Sequence, residues 1–213
     1  MKYPTSNSSQ PSTLLGIVLL VIVGQLAVGC TGTGGGRPAA TTVESPEGFT
    51  ITEAVRPRMG LRSNFDEARE ALAKHDSDRG IALLVEITES DPGFAAPHIN
   101  LGIAYREAGD LEGAETSLLR AIEASPRHPV AHNELGIVYR RLGRFAEARA
   151  SYETALEFHE DFHFARKNLA IVCDLFLEDL PCALEHYEIY RAAVPEDENV
   201  AMWVADLSQR IGL

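Results

Sequence analysis

The sequence predicts an all-α solenoid of about four helix-turn-helix repeats, closed by a C-terminal helix. Three observations predict it. The run Leu101-Gly102-Ile103-Ala104-Tyr105-Arg106 returns 34 positions later as Leu135-Gly136-Ile137-Val138-Tyr139-Arg140. Around it, the small and large residues keep the same stride: His98 and His132, Gly109 and Gly143, Ala114 and Ala148, Leu118 and Tyr152, Ala121 and Ala155. A self-match of this period marks stacked helical hairpins, each unable to bury its apolar face alone. Finally, Val200, Trp203, Val204, Leu207 and Ile211 recur at helical spacing after the last repeat, with Asp206, Gln209 and Arg210 opposite.

Composition bounds the function. The chain has 213 residues and a formal net charge of -12. Nucleic-acid binding needs clustered Lys and Arg against phosphate, so an acidic surface argues against it. Three cysteines are too few for a disulfide scaffold.

Taken in order, residues 1–29 have the anatomy of a secretory signal peptide: Lys2, a polar stretch, then the apolar run Leu14–Val23. That run is too short to serve comfortably as a permanent span. Leu26-Ala27-Val28-Gly29-Cys30 resembles the bacterial lipobox. The resemblance implies cleavage before Cys30, a diacylglycerol thioether on its sulfur and an acyl group, such as palmitate, on its new amine. Several acyl chains together hold a protein stably on a membrane. Thr31, where lipoprotein sorting associates Asp with inner-membrane retention, implies the outer membrane of a Gram-negative cell, facing the periplasm. Residues 30–48 are rich in Gly, Thr and Pro and predict a flexible tether with an r.m.s. reach of roughly 20–25 Å. Residues 49–60 form an extended lead-in. Phe49-Thr50-Ile51-Thr52 alternates like a strand but has no evident partner strand, so it is expected to lie along the first repeat.

Residues 61–94 are a degenerate first repeat, with Pro92 in register with Pro126 and Gly80 standing where later repeats have Ala114 and Ala148. Ser77 and Asp78 are the expected N-cap residues of its second helix. Full repeats follow at 95–128 and 129–162. A less regular one spans 163–197, where the turn Phe176-Leu177-Glu178-Asp179-Leu180-Pro181 lacks glycine and is one residue longer. Residues 198–213 cap the stack, with Trp203 expected as a packing anchor. The order Leu101, Gly102, Tyr105, Ala114, Leu118, Ala121, Pro126 resembles the tetratricopeptide repeat family, with His98 and His132 in place of the usual Trp. That resemblance implies a right-handed solenoid whose first helices line a concave binding face.

Three sets of residues could carry chemistry. His159-Glu160-Asp161-Phe162-His163 matches H-E-x-x-H, but it falls across a repeat junction, whereas a zinc hydrolase needs both histidines on one helix. The hydrolase is therefore the remote alternative, and neither a metal nor a cofactor is expected. His98 and His132 are equivalent positions, expected as packing residues rather than a metal bridge. Cys173 and Cys182 lie late in one helix and early in its antiparallel partner, close enough for a possible disulfide in an oxidising periplasm.

By resemblance, the concave face holds Ile99, Asn100, Ile103 and Arg106; Asn133, Glu134, Ile137, Arg140 and Arg141; Lys167, Asn168, Ile171 and Asp174. The isoleucines would form an apolar floor, Asn133 and Asn168 would bond a peptide backbone, and Arg106, Arg140 and Lys167 would grip carboxylates. The arrangement is loosely similar to the carboxylate clamp of chaperone-binding tetratricopeptide domains without matching its residue set. The competing expectation is that these arginines pair with Glu107 and Glu134. The function expected is an adaptor or assembly scaffold for an envelope complex, binding a protein or peptide partner with acidic or C-terminal carboxylate groups. Alternatives within that class are a factor similar to type IV pilus secretin pilotins, or an accessory to a TonB- or Tol-type energised complex.

Overall fold

The computed structural model describes residues 41–44, 50–53 and 60–212. The apolar run Leu14–Val23, Cys30 and most of the tether lie outside them. The described part belongs to the unit Pro38–Leu213.

Two strands precede the helices. β1 (Thr41–Glu44) pairs antiparallel with β2 (Thr50–Glu53), with Val43 opposite Ile51. This corrects the expectation that residues 49–60 lack a partner strand: Thr41-Thr42-Val43 is β-branched throughout and falls inside the supposed tether.

Helices follow as hairpins: α1 (Leu61–Ala73) with α2 (Ser77–Ser90), α3 (Ala95–Ala108) with α4 (Leu111–Ala124), α5 (Pro129–Arg141) with α6 (Phe145–Phe158), and α7 (His163–Leu175) with α8 (Leu180–Ala193). α9 (Glu198–Ile211) follows α8. No helix among the described residues is long and apolar enough to cross a membrane.

In the α3–α4 and α5–α6 hairpins, close approach comes from a missing side chain. A Cβ on Gly102 would fall 2.6 Å from Leu118 Cγ, and one on Gly136 would fall 2.5 Å from Tyr152 Cε1. Leu84, Leu118, Tyr152 and Tyr187 fill the same place in successive repeats and are fully buried. Polar ends are handled repetitively too. Asp76, Asp110 and Asp179 cap α2, α4 and α8, their carboxylates accepting the N–H of Arg79, Gly113 and Cys182. The α2 cap is thus Asp76, one residue before the expected Ser77: the self-match places Asp110 at that position, and the side chain must precede the first helical turn.

Consecutive helices pack against one another. In addition α1 touches α3, α3 touches α5 and α5 touches α7, whereas no corresponding contact joins α2, α4, α6 and α8. Helices that meet their next-but-one neighbours lie on the inside of the curve. α1, α3, α5 and α7 therefore form the concave wall.

At the C-terminal end, Val200, Val204 and Leu207 of α9 are buried against the last hairpin. Trp203 is 36% exposed and rests its ring on Tyr187, centroids 5.5 Å apart. It is an edge residue of the packing rather than its anchor, because the buried stripe runs through Val200, Val204 and Leu207. Arg210 of α9 reaches Asp174 of α7 at 2.7 Å, tying the cap to the concave layer.

Candidate functional site

The concave wall collects the predicted groove residues and sorts them. Ile103, Ile137 and Ile171 are half-buried in successive odd helices and form the expected strip. Ile99 does not: it is buried with Ala121 and Ala131, because its place on α3 faces α4 and α5. Asn133 is buried as well. Its amide donates to Glu134 Oε1 at 3.3 Å, and its oxygen accepts from Asn168 Nδ2 at 3.1 Å. The two asparagines join α5 to α7 instead of presenting amides to a peptide. Asn100 Nδ2 likewise donates to its own helix, at Ala96 O.

The cations divide further. Lys167 sits 2.6 Å from Asp197 and beside the rings of Tyr190 and Trp203. It holds the start of α9, and its ammonium, donating to the Asp197 carboxylate, keeps that group below its usual range. Arg106 Nε lies 3.2 Å from Glu134 Oε2 and its other end 3.8 Å from Glu107, the pairing expected of an ordinary charge. Arg141 donates to the carbonyl of Arg106, stitching α5 to α3 at their C-terminal ends. Arg140 is different. Half-buried in the wall, it meets the side chain of Tyr152 instead.

Below Arg140 lies a residue that sequence reasoning assigned only to packing. Tyr152 of α6 passes its ring over Gly136. Its hydroxyl lies near Arg140, Glu134 and Arg106, and burial pushes the phenol up to about 12. The signal was present in the pairing of Leu118 with Tyr152 across the repeats: the later residue carries a hydroxyl that the earlier one lacks.

The remaining candidates resolve by position. His98 Nε2–H donates to Pro92 O at 3.1 Å and His132 Nε2–H to Pro126 O at 2.8 Å. In the next repeat Arg166 donates to Glu160 O at 2.7 Å. Each ties the start of an odd helix to the carbonyl six residues earlier, so neither histidine is placed to share a metal. His159 is the C-cap of α6 and His163 the first residue of α7, so the H-E-x-x-H residues span a turn. Cys173 and Cys182 are joined by a disulfide with Cα atoms 5.9 Å apart. Together with Asp179 they are the group, among the described residues, with metal-ligand geometry, but both sulfurs are occupied by each other.

Comparison with known proteins accords with this architecture. The profile of the Tetratricopeptide repeat family matches residues 65–129 and 99–162. The chain belongs to the tetratricopeptide repeat family. No curated protein sequence matches it. Among solved structures, the MamA protein is similar with a TM-score of 0.65 at 20% identity, over 72% of this chain and 83% of that one. The pilF protein of Pseudomonas aeruginosa gives 0.64 at 19%, over 70% and 68%. The first tetratricopeptide domain of Spaghetti, solved with an HSP90 peptide, gives 0.55 at 18%, over 58% and 97%. This tetratricopeptide chain shares their fold, and a protein-interaction scaffold is what that fold supplies.

Proposed function

We propose that this chain is a lipoprotein of the outer membrane, anchored through Cys30, whose repeat domain holds a protein partner on its concave wall as an adaptor in a periplasmic envelope complex. The observation that carries the binding half is the strip of half-buried isoleucines, Ile103, Ile137 and Ile171, on successive helices of the concave wall, with the half-buried Arg140 on the same layer. A similar fold solved with a bound peptide supports a peptide as occupant. The membrane half rests on the lipobox-like run ending in Cys30 and on Thr31. The role is binding rather than catalysis: His159 and His163 flank a turn and cannot act as the paired ligands of a helix.

A photo-crosslinking residue at Ile137 in intact cells tests the binding half. Capture of one discrete protein, lost on Arg140→Glu while the melting temperature holds, is the expected result; capture unaltered by that substitution rejects the wall as the binding face. The identity of the captured species also separates a secretin from a TonB- or Tol-type partner. Mass spectrometry of the mature chain tests the anchor: an acylated N-terminal Cys30, abolished by Cys30→Ala, is expected, and an unmodified chain beginning elsewhere removes it.

A further inference from the structure

The Cys173–Cys182 disulfide lies beside a carboxylate. Among the described residues, the two sulfurs and an Asp179 carboxylate oxygen lie within 4.8 Å of one another. The Cα atoms of the cysteines are 5.9 Å apart. A tetrahedral ion with metal–sulfur bonds of about 2.3 Å holds two thiolates about 3.8 Å apart, a spacing that side-chain rotation reaches once the S–S bond is open.

The turn keeps these three groups together without the covalent bond. Asp179 N–H donates to Cys173 O at 2.9 Å, and Leu177 N–H to Val172 O at 3.1 Å. Asp179 Oδ1 accepts the Cys182 N–H at 3.2 Å, and Oδ2 accepts from Arg149 Nη1 at 2.8 Å. Phe176 stacks on Phe145 of α6, centroids 4.4 Å apart. Arg149 and Phe145 thus fasten the turn to the preceding hairpin, and none of these ties passes through sulfur.

Charge and softness select the ligand. Cys182 lies in the first turn of α8, where the helix end favours a thiolate. The Arg149 guanidinium first, and the Cys182 N–H second, hold the Asp179 carboxyl below its usual range, so it stands ionised at neutral pH. Each of its oxygens keeps a further lone pair. Hydrogen bonds behind a carboxylate are the usual support of a metal ligand. Two thiolates prefer zinc-like cations to magnesium or calcium.

We propose that Cys173, Cys182 and Asp179 form a redox-gated site for one divalent cation of the zinc class, open only when the disulfide is reduced. A dithiol reductant opens it: the reductant's two sulfurs become its own disulfide, and its two protons pass to the Cys173 and Cys182 sulfurs. Binding the cation releases those protons as two thiolate–metal bonds form. Exchange with a disulfide oxidant reverses both steps and expels the ion. The sulfurs are buried and the Asp179 side chain is 36% exposed, so the carboxylate side is the way in. The α7–α8 turn is clipped in either state, through sulfur or through the ion. The site is independent of the adaptor reading.

The full chain carrying Cys30→Ala, so that these are its two cysteines, is reduced with a phosphine, freed of it and titrated anaerobically with Cd²⁺, then with Zn²⁺ against a colorimetric indicator. One ion per reduced chain, with a thiolate-to-cadmium charge-transfer band, is expected; the oxidised chain should show neither. Cys182→Ser should lose the one-to-one binding. Asp179→Asn, which keeps a helix-capping side chain, should weaken it about tenfold. Circular dichroism of the reduced chain, with the Cys173→Ser, Cys182→Ser double variant alongside, reports whether the helices persist without the S–S bond. Equal binding by the oxidised chain, no binding by the reduced chain, binding only after the helical signal is lost, or unchanged affinity in Asp179→Asn would overturn the site.

Discussion

His75, Gly109, Gly143 and Glu178 hold the same left-handed backbone in the four hairpin turns, with φ of 63°, 88°, 76° and 54°. Glycine adopts this conformation freely, whereas a side chain makes it cost about 1 kcal/mol. Glu178→Gly is therefore expected to raise stability by about 1 kcal/mol, and Gly143→Ala to lower it by a similar amount, both measurable as shifts of the urea midpoint. Histidines set a pH dependence at the same scale. Burial, ahead of a raising hydrogen bond to Pro92, lowers the pKa of His98, which also feels Arg120 and Glu123. Burial likewise lowers His186, with Arg166 and Arg149 opposing Glu185 and Glu153 around it. Both folded values lie below the ordinary 6.5, so the unfolded chain takes up protons first as pH falls. Stability from these groups is complete above about pH 6.5 and is lost as pH drops from there toward the folded values. Thermal melts between pH 7.5 and 5 should show a falling Tm, with a shallower fall in His98→Asn.

Each hairpin is one closely approached pair of helices, and its economy is clearest at Gly136. Adding a methyl there drives it into a rigid phenol ring. Gly136→Ala is expected to cost about 1–3 kcal/mol by overpacking despite alanine's better helix propensity, and calorimetry checks it. The α7–α8 hairpin solves its turn differently. With Glu178 where glycine belongs and one added residue, it carries the Cys173–Cys182 disulfide across the same turn. Closing a loop with a sequence separation of 9 restricts the unfolded chain by about 2–3 kcal/mol. Double replacement of Cys173 and Cys182 by Ala should lower the unfolding free energy by that amount. These elements were largely legible in the sequence, because a 34-residue stride places each helix relative to the last without knowledge of coordinates. β1 was not legible: four residues carry too little periodicity to stand out among Gly and Pro. Asp76 as cap was legible only by comparison with Asp110, since Ser77 and Asp78 beside it have the same chemistry.

A solenoid has no single core, so its stability is a sum of hairpins and the interfaces between them. The free C-terminal end is held by α9, through buried Val200, Val204 and Leu207 and through Lys167–Asp197 and Arg210–Asp174. Leu207→Ala is expected to cost about 2–3 kcal/mol, and hydrogen exchange should locate the loss in α8 and α9 while α3 and α4 keep their protection. Uniform deprotection along the whole stack would contradict this local accounting. The same ion pairs explain why the concave wall offers fewer cations than its sequence promised. Lys167 serves the cap, Arg106 meets Glu134, and Arg140 lies against the Tyr152 hydroxyl.

Sequence alone determined the repeat, its stride, the number of hairpins and the terminal helix, because a helix stack is built from neighbours and neighbours are written in order along the chain. The family resemblance located the concave layer, and α1, α3, α5 and α7 occupy it. Tertiary structure decided which of its polar side chains are free. Asn133 meets Asn168 across 35 residues, Lys167 meets Asp197 across 30 and Asp174 meets Arg210 across 36. Such pairings depend on side chains from separate helices meeting at a few ångströms, a distance that no periodicity specifies. Tyr152 shows the same division: its place under Gly136 follows from the stride, and its hydroxyl beside Arg140 follows only from the fold.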